Sequence, residues 1–298
     1  MFKFDEAFRE EFRRDWILLL IAFCCLLFGL SAGAFALPFL FPEVIKEFGW
    51  TREQATLLAT AKYSMTAISA IVAGRLIDWL GVWRTLFLSM ALAGVALLGF
   101  MWVHDLTWYY VTGAVLGVST GGGLVAVKVL VSRSFHSSQG TAMGLALLGT
   151  ALGAAIMPLV IAALIHAFGW RTGFGLLSLS VWALTMPPLL AGYLWRRNAI
   201  AKAPARAAAT GAVADDYAQR LSEILRQRNF WLIAIVVIGA ALIDSAYNQH
   251  QVLIFGDLHY SKQVIALAVS AIGAVGIACR VVVGNILDSS SNKGLAGL

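Results

Sequence analysis

Four charged side chains interrupt long apolar stretches of this sequence: Lys62, Lys128, Asp244 and Arg280. A charge at the centre of a bilayer costs about 2.5–3.5 kcal/mol on insertion scales, so such a residue marks a polar pathway or a paired site. Lys62 shares a helical face with Ala59, Thr66, Ser69 and Ala73, all small or polar, opposite Leu58, Ala61, Met65, Ile68 and Val72. It is expected to face protein or water and to supply a positive charge to a cavity. Lys128 stands about one turn from a segment end, within snorkelling reach of the interface. Asp244 opens a polar half-segment in which Asp244, Asn248 and Gln251 fall on one face at i, i+4 and i+7. Two roles are open to Asp244: a proton carrier, with Asn248 beside it, or a fixed counter-charge for Lys62 or Arg280. Arg280 is an obligate cation whose planar fork suits a carboxylate. The alternative for Arg280 is a snorkelling side chain about two turns from the segment end.

A second group of residues sits in a turn. Gly74, Asp78, Gly81 and Arg84 close one apolar segment and open the next. An Asp78–Arg84 ion pair there could latch one end of a helical bundle and break when the bundle tilts. Gly74 is expected to permit close contact and Gly81 a tight turn. The bland alternative is a solvated pair worth under about 1 kcal/mol. The sequence carries this segment twice. Thr51–Asp78 lies on Ser261–Asp288 without a gap, so that Thr51 meets Ser261, Arg52 meets Lys262, Gly74 meets Gly284 and Asp78 meets Asp288. An ungapped match that closes on the same G-x-x-x-D argues for an internal repeat, and parallel repeats of a several-helix unit build many membrane transporters.

The elements that position these residues are membrane spans. The chain is 60% hydrophobic and 13% charged, against about 25% charged in a soluble domain. A span needs about 20 apolar residues, and eight segments qualify: Trp16–Leu40, Gln54–Leu76, Thr85–Val103, Trp108–Val131, Thr141–Ile165, Thr172–Trp195, Phe230–Phe255 and Gln263–Leu287. The first follows a mixed-charge tail and reads as a retained helix, not a signal peptide. With the N-terminus inside, the inner segments hold most of the basic residues, including Arg13, Arg14, Arg75, Arg84, Arg133 and the run from Arg196 to Arg228. The outer turns hold only Lys46, Arg52, Arg171 and Lys262. The positive-inside rule then puts both termini in the cytoplasm and the chain in the plasma (inner) membrane. The net charge of +6 follows from this loop placement and does not point to nucleic acid.

The expected organisation is all-α and polytopic. A six-span bundle occupies residues 1–195, a cytoplasmic linker 196–228, and two further spans 229–298. Asp216–Arg228 fits either a short interfacial helix or a solvated loop. Phe48-Gly49-Trp50 and Phe168-Gly169-Trp170 mark the outer interface. Gly113, Gly117 and Gly121 recur at i+4 on the fourth span, where small residues let helices approach in lipid. Cys24, Cys25 and Cys279 all lie in apolar segments and show no disulfide or metal pattern. No H-E-x-x-H, nucleophile elbow or phosphate loop is present, so neither an enzyme nor a bound metal or cofactor is expected.

The G-x-x-x-D-x-x-G turn with a following basic residue resembles the signature loop of the major facilitator superfamily. The six-span half, the long central loop and the weaker copy at Gly284–Asp288 agree. Ser132–Gly153 and Arg280–Asp288 are similar to the monocarboxylate porters and oxalate/formate antiporters. There are departures: Trp79 stands where a basic residue often follows the motif aspartate, Trp83 displaces the usual basic residue to Arg84, and Gly276 stands where many monocarboxylate porters have an aspartate. The resemblance implies a secondary transporter of a small organic anion, a monocarboxylate or dicarboxylate, working by alternating access with Arg280 in substrate binding. Proton coupling is a further expectation, and the oligomeric state is left open. The superfamily's two six-span halves exceed the spans here, since the sequence stops ten residues after Asp288. The competing expectation is therefore a truncated membrane protein that does not transport and serves as an assembly or sensing partner.

Overall fold

Apolar runs of this length can satisfy their backbone hydrogen bonds in lipid only as helices or closed barrels, and every regular element among the described residues is helical. The computed structural model describes the backbone of residues 6–135, 139–200 and 226–291, and side chains within residues 12–135, 139–195 and 226–279. In order the elements are α1 (Glu6–Cys24), a π-helical stretch (Cys25–Leu30), α2 (Ser31–Phe48), α3 (Arg52–Leu80), α4 (Val82–Gly99), a 3-10 turn (Phe100–Trp102), α5 (Leu106–Ser134), α6 (Gln139–Ile200), α7 (Arg228–Asp257) and α8 (Lys262–Ser291). The fold is an all-α polytopic bundle.

Eight separate spans were expected, whereas seven helices among the described residues are long and apolar enough to cross a membrane. The difference lies in α6. Its apolar stretch Gln139–Trp195 runs for 57 residues, far beyond the roughly 20 needed for one crossing. Gly169 breaks it, with φ 76° and ψ 163°, a conformation open essentially to glycine alone. The chain doubles back there: a Cβ on Gly173 would lie 3.3 Å from the Ile165 nitrogen. The expected fifth and sixth spans are thus the two arms of α6, joined by one glycine. Gly81, with φ 85° and ψ 155°, makes the same kind of corner between α3 and α4, as its place in the signature turn predicts.

The repeat shows in how its helices begin. Thr51 caps α3: its hydroxyl accepts from the Gln54 amide at 3.2 Å, and the Gln54 side chain accepts from the Thr51 amide at 3.0 Å. This is a capping box. At the matching position the Ser261 hydroxyl accepts from the Val264 amide at 3.4 Å, and α8 starts at Lys262.

Packing explains the glycines of α5. A Cβ on Gly117 would meet the Lys62 carbonyl oxygen at 2.1 Å, and one on Gly121 the Thr66 carbonyl oxygen at 2.3 Å. The small face of α3 is therefore pressed against α5, with Thr66 Oγ1 donating to the Gly117 carbonyl at 3.2 Å. Leu58, expected on the far face, is buried over Gly113. Gly74 is a correction: expected to permit a close contact, it has nothing within 4 Å of where its Cβ would be.

At the Trp50 end the two Phe-Gly-Trp turns meet through Glu47. Trp170 Nε1 donates to its carboxylate at 2.6 Å, and Arg171 forms an ion pair with it and donates to the Val103 carbonyl at 2.9 Å. The Arg171 guanidinium stacks 4.3 Å from the Trp170 ring centre. Residues 201–225, with most of the stretch considered for an interfacial helix, lie outside the described residues, as do the side chains of Arg280 and Asp288.

Candidate solute cavity

A cavity of about 460 Å³ opens among α2, α3, α5, α6, α7 and α8. Its first wall begins at Ser31, directly after the π-helical stretch, a distortion frequent at functional sites. The Ser31 hydroxyl donates to the Leu26 carbonyl at 2.8 Å, and Gly153 of α6 approaches Ser31 so closely that a Cβ would lie 2.2 Å from its Oγ. Thr120 of α5 and Thr150 of α6 add hydroxyls, which donate to the Leu116 and Leu147 carbonyls. On α8 the wall follows Val269, Ile272, Gly273 and Gly276, and a Cβ on Gly273 would lie 2.6 Å from the Ala154 backbone.

The polar wall is α7. Asp244, Asn248 and Gln251 line the cavity, as the periodicity of that half-span implied, and Gln249 lines it too. Their polar groups are linked by hydrogen bonds along the helix and to α3. Asn248 Nδ2 donates to the Asp244 carbonyl at 2.8 Å and to its carboxylate at 3.0 Å. Gln251 Nε2 donates to the Asn248 carbonyl and Oδ1 at 3.3 and 3.4 Å. Gln249 reaches across to α3, its Nε2 donating to the Tyr63 hydroxyl at 2.9 Å. The Oε1 atoms of Gln249 and Gln251 are buried without a partner, a condition rare enough to need a reason.

Lys62 is 1% exposed, with its ammonium 4.7 Å from the Tyr63 ring centre. It is not among the cavity-lining residues; its neighbour Tyr63 is. No ion pair joins it to a carboxylate among the described residues, Asp244 included. Gly276, one turn before Arg280, lines the wall, so position 280 continues the register 269, 272, 273, 276. Sequence reasoning missed Tyr63, which follows a conspicuous lysine and looks like any span aromatic. It missed Ser31 too, because nothing in a run of apolar residues announces a π-helical turn.

The signature turn is arranged differently from the expectation. Asp78 pairs with Arg133 of α5 at 3.9 Å, and not with Arg84. The cause is the tight α3–α5 contact, which carries the end of α5 beside Asp78, while the corner at Gly81 directs Arg84 along α4. At the opposite end two ion pairs tie the first helices to α7 and α8. Arg52 Nη2 lies 2.6 Å from both Asp257 carboxylate oxygens, and Lys262 pairs with Glu43.

The sequence profile of the Major Facilitator Superfamily matches residues 9–297, nearly the whole chain. The chain belongs to the Major Facilitator Superfamily. It is an integral membrane protein of a family of transporters, not of enzymes. The structure is similar to that of a D-xylose-proton symporter, with a TM-score of 0.65 at 13% identity, over 92% of this chain and 69% of that one. Two structures of tetrameric PepTSo2 match at TM-scores of 0.48 and 0.47, with 16% and 18% identity, over 80% and 96% of this chain. The superfamily chain spans just over half of theirs, 54% and 56%. At these identities the likeness is one of fold. No curated protein sequence matches the chain. The narrower likeness to monocarboxylate porters and oxalate/formate antiporters finds no support in these comparisons.

Proposed function

We propose that the chain is a secondary transporter of a small carboxylate-bearing solute, working by alternating access, with Asp244 as the coupling group. The observation that supports this reading is the cavity itself. It lies between α2–α6 on one side and α7–α8 on the other, and one carboxylate opens into it. Rocking of two bundles around such a site is how transporters expose it to one side at a time. In this reading residues 1–195 form one moving body and residues 229–298 belong to the other, with the Trp50 end outside and the Asp78 end in the cytoplasm. The cross ties Arg52–Asp257 and Lys262–Glu43 then close the outer end.

The carboxylate preference rests on Arg280. Its register follows Gly276 on the cavity wall, and a guanidinium can hold a carboxylate through two parallel hydrogen bonds. Lys62, buried behind Tyr63 in this state, raises the positive potential near the site without touching the solute.

The test is binding of succinate and butyrate to the purified chain, followed by calorimetry. Arg280→Lys keeps the charge and loses the fork, so affinity should fall about tenfold or more. If Arg280→Ala binds either acid as tightly as the unsubstituted chain, the carboxylate site is elsewhere and the arginine serves only the helix.

A further inference from the structure

The hydrogen-bond directions around the cavity are one-sided. The Nε2 groups of Gln249 and Gln251 and the Nδ2 group of Asn248 all donate to protein acceptors. The amide orientations of Asn248 and Gln251 are fixed, because each donates to a backbone carbonyl, which can only accept. The hydroxyls of Ser31, Thr120 and Thr150 likewise donate to backbone carbonyls. What the wall has left is chiefly acceptors: the Asp244 carboxylate, the unpartnered amide oxygen of Gln251 and three hydroxyl lone pairs, while the Gln249 amide, paired to a hydroxyl, can present either of its atoms. Among the described residues no lysine, arginine or histidine lines this cavity. The remaining neutral donors, on Tyr63, Ser245 and Tyr247, are also acceptors.

An acceptor-rich, anionic wall suits a donor-rich, cationic group. An ammonium carries three N–H donors and no acceptor, and a carboxylate alone would face Asp244 with nothing to gain. We propose that Asp244 and Gln251 hold an ammonium group of the solute, so that the transported carboxylate is an amino acid. The carboxylate half of this statement rests on the functional reading above; the ammonium half stands on the wall of α7. The Gln251 oxygen is buried beside the cavity without a partner, and a ligand N–H that reaches it removes the cost of leaving it unpaired.

The experiment titrates the purified chain with three sets of probes. The first is glycine, 4-aminobutanoate and 6-aminohexanoate. The second is their N-trimethyl analogues, which keep the positive charge and lose every N–H. The third is acetate, butyrate, hexanoate and butylamine. At least one amino acid should bind, and its trimethyl analogue and parent acid should bind at least tenfold more weakly. Gln251→Leu should lower amino-acid affinity about tenfold and parent-acid affinity by clearly less. Gln251→Glu, which restores an acceptor and adds charge, should bind the amino acid at least as tightly as the unsubstituted chain; a merely structural glutamine would be damaged by both replacements. Parent acids that bind as tightly as amino acids overturn the ammonium site and leave the carboxylate reading standing. Butylamine that binds as tightly as 4-aminobutanoate overturns the carboxylate reading and leaves the ammonium site. Trimethyl analogues that bind as tightly as amino acids overturn the hydrogen-bonded recognition, and a chain that binds none of the probes overturns the proposal.

Discussion

Arg52 and Lys262, which occupy the same place in the two copies of the repeat, each pair with the span that precedes the other copy. Arg52 at the start of α3 holds Asp257 at the end of α7, and Lys262 at the start of α8 holds Glu43 near the end of α2. The exchange is reciprocal: the starts of two helices that match in sequence each meet an acid near the end of the helix before the other. At the opposite end the ion pair Asp78–Arg133 joins α3 to α5.

Breaking the reciprocal pairs should open the Trp50 end. Arg52 and Asp257 are about half exposed, at 51% and 57%, so that pair is worth at most about 1 kcal/mol, whereas Glu43 of the other pair is largely buried. The measurement is maleimide labelling of Ala34→Cys, on the cavity wall, in a background lacking Cys24, Cys25 and Cys279. With reagent added at the Trp50 side, Arg52→Gln together with Lys262→Gln should raise the labelling rate by roughly tenfold, and 1 M salt should raise it in the unsubstituted chain. Equal rates in all three would show that the pairs do not control access.

Two glycines separate contact from decoration. Gly117→Ala places a methyl 2.1 Å from a backbone oxygen, which cannot swing aside, so α3 and α5 must part. The cost should be about 1–3 kcal/mol or more. Gly74→Ala meets open space on a regular helix and should be neutral or stabilise by about 0.5–1 kcal/mol. Thermal unfolding of the two variants in detergent checks this. Equal losses of stability would mean that the α3–α5 contact is not the tight one.

These two glycines also show what could be read before the fold was known. The apolar segments and the polar half of α7 were legible, because apolar length and helical period are local properties. The packing partner of a glycine is not local. Gly74 in the signature turn drew attention, while Gly117 looked like one small residue among several. Lys62 was legible as a residue that avoids lipid, but its burial behind Tyr63 depends on how closely α5 approaches. Asp78 was legible as half of an ion pair; its partner came from 55 positions downstream in sequence, Arg133, instead of from the same turn.

That partner can be tested by exchange. Asp78 and Arg133 are 77% and 56% exposed at 3.9 Å, so neither Asp78→Asn nor Arg84→Gln should change stability by more than about 1 kcal/mol. Their effects on binding or exchange rates should differ. Asp78→Arg should impair exchange, and adding Arg133→Asp should restore it, whereas adding Arg84→Asp should not. Rescue by Arg84→Asp instead would return the latch to the signature turn.

The last prediction concerns Asp244. It opens into the cavity and accepts from Asn248 at 3.0 Å, so Asp244→Asn preserves an acceptor oxygen at nearly the same place and the local chain of hydrogen bonds survives. What the variant loses is the ability to change charge. A coupling carboxylate that faces the solute's ammonium holds either a proton or the solute, and releases one as it takes the other. Without the titration, a pH gradient has nothing to act on, yet the loaded cavity can still reorient. In liposomes carrying the reconstituted protein, Asp244→Asn should therefore abolish uptake driven by an outward proton gradient and slow solute–solute exchange without abolishing it. Asn248→Leu removes the donor and keeps the carboxylate, so it should shift the pH dependence of uptake without abolishing it. If gradient-driven uptake survives in Asp244→Asn, the carboxylate is a fixed counter-charge and the proton travels by another group; if exchange is lost as well, Asp244 is needed to hold the solute.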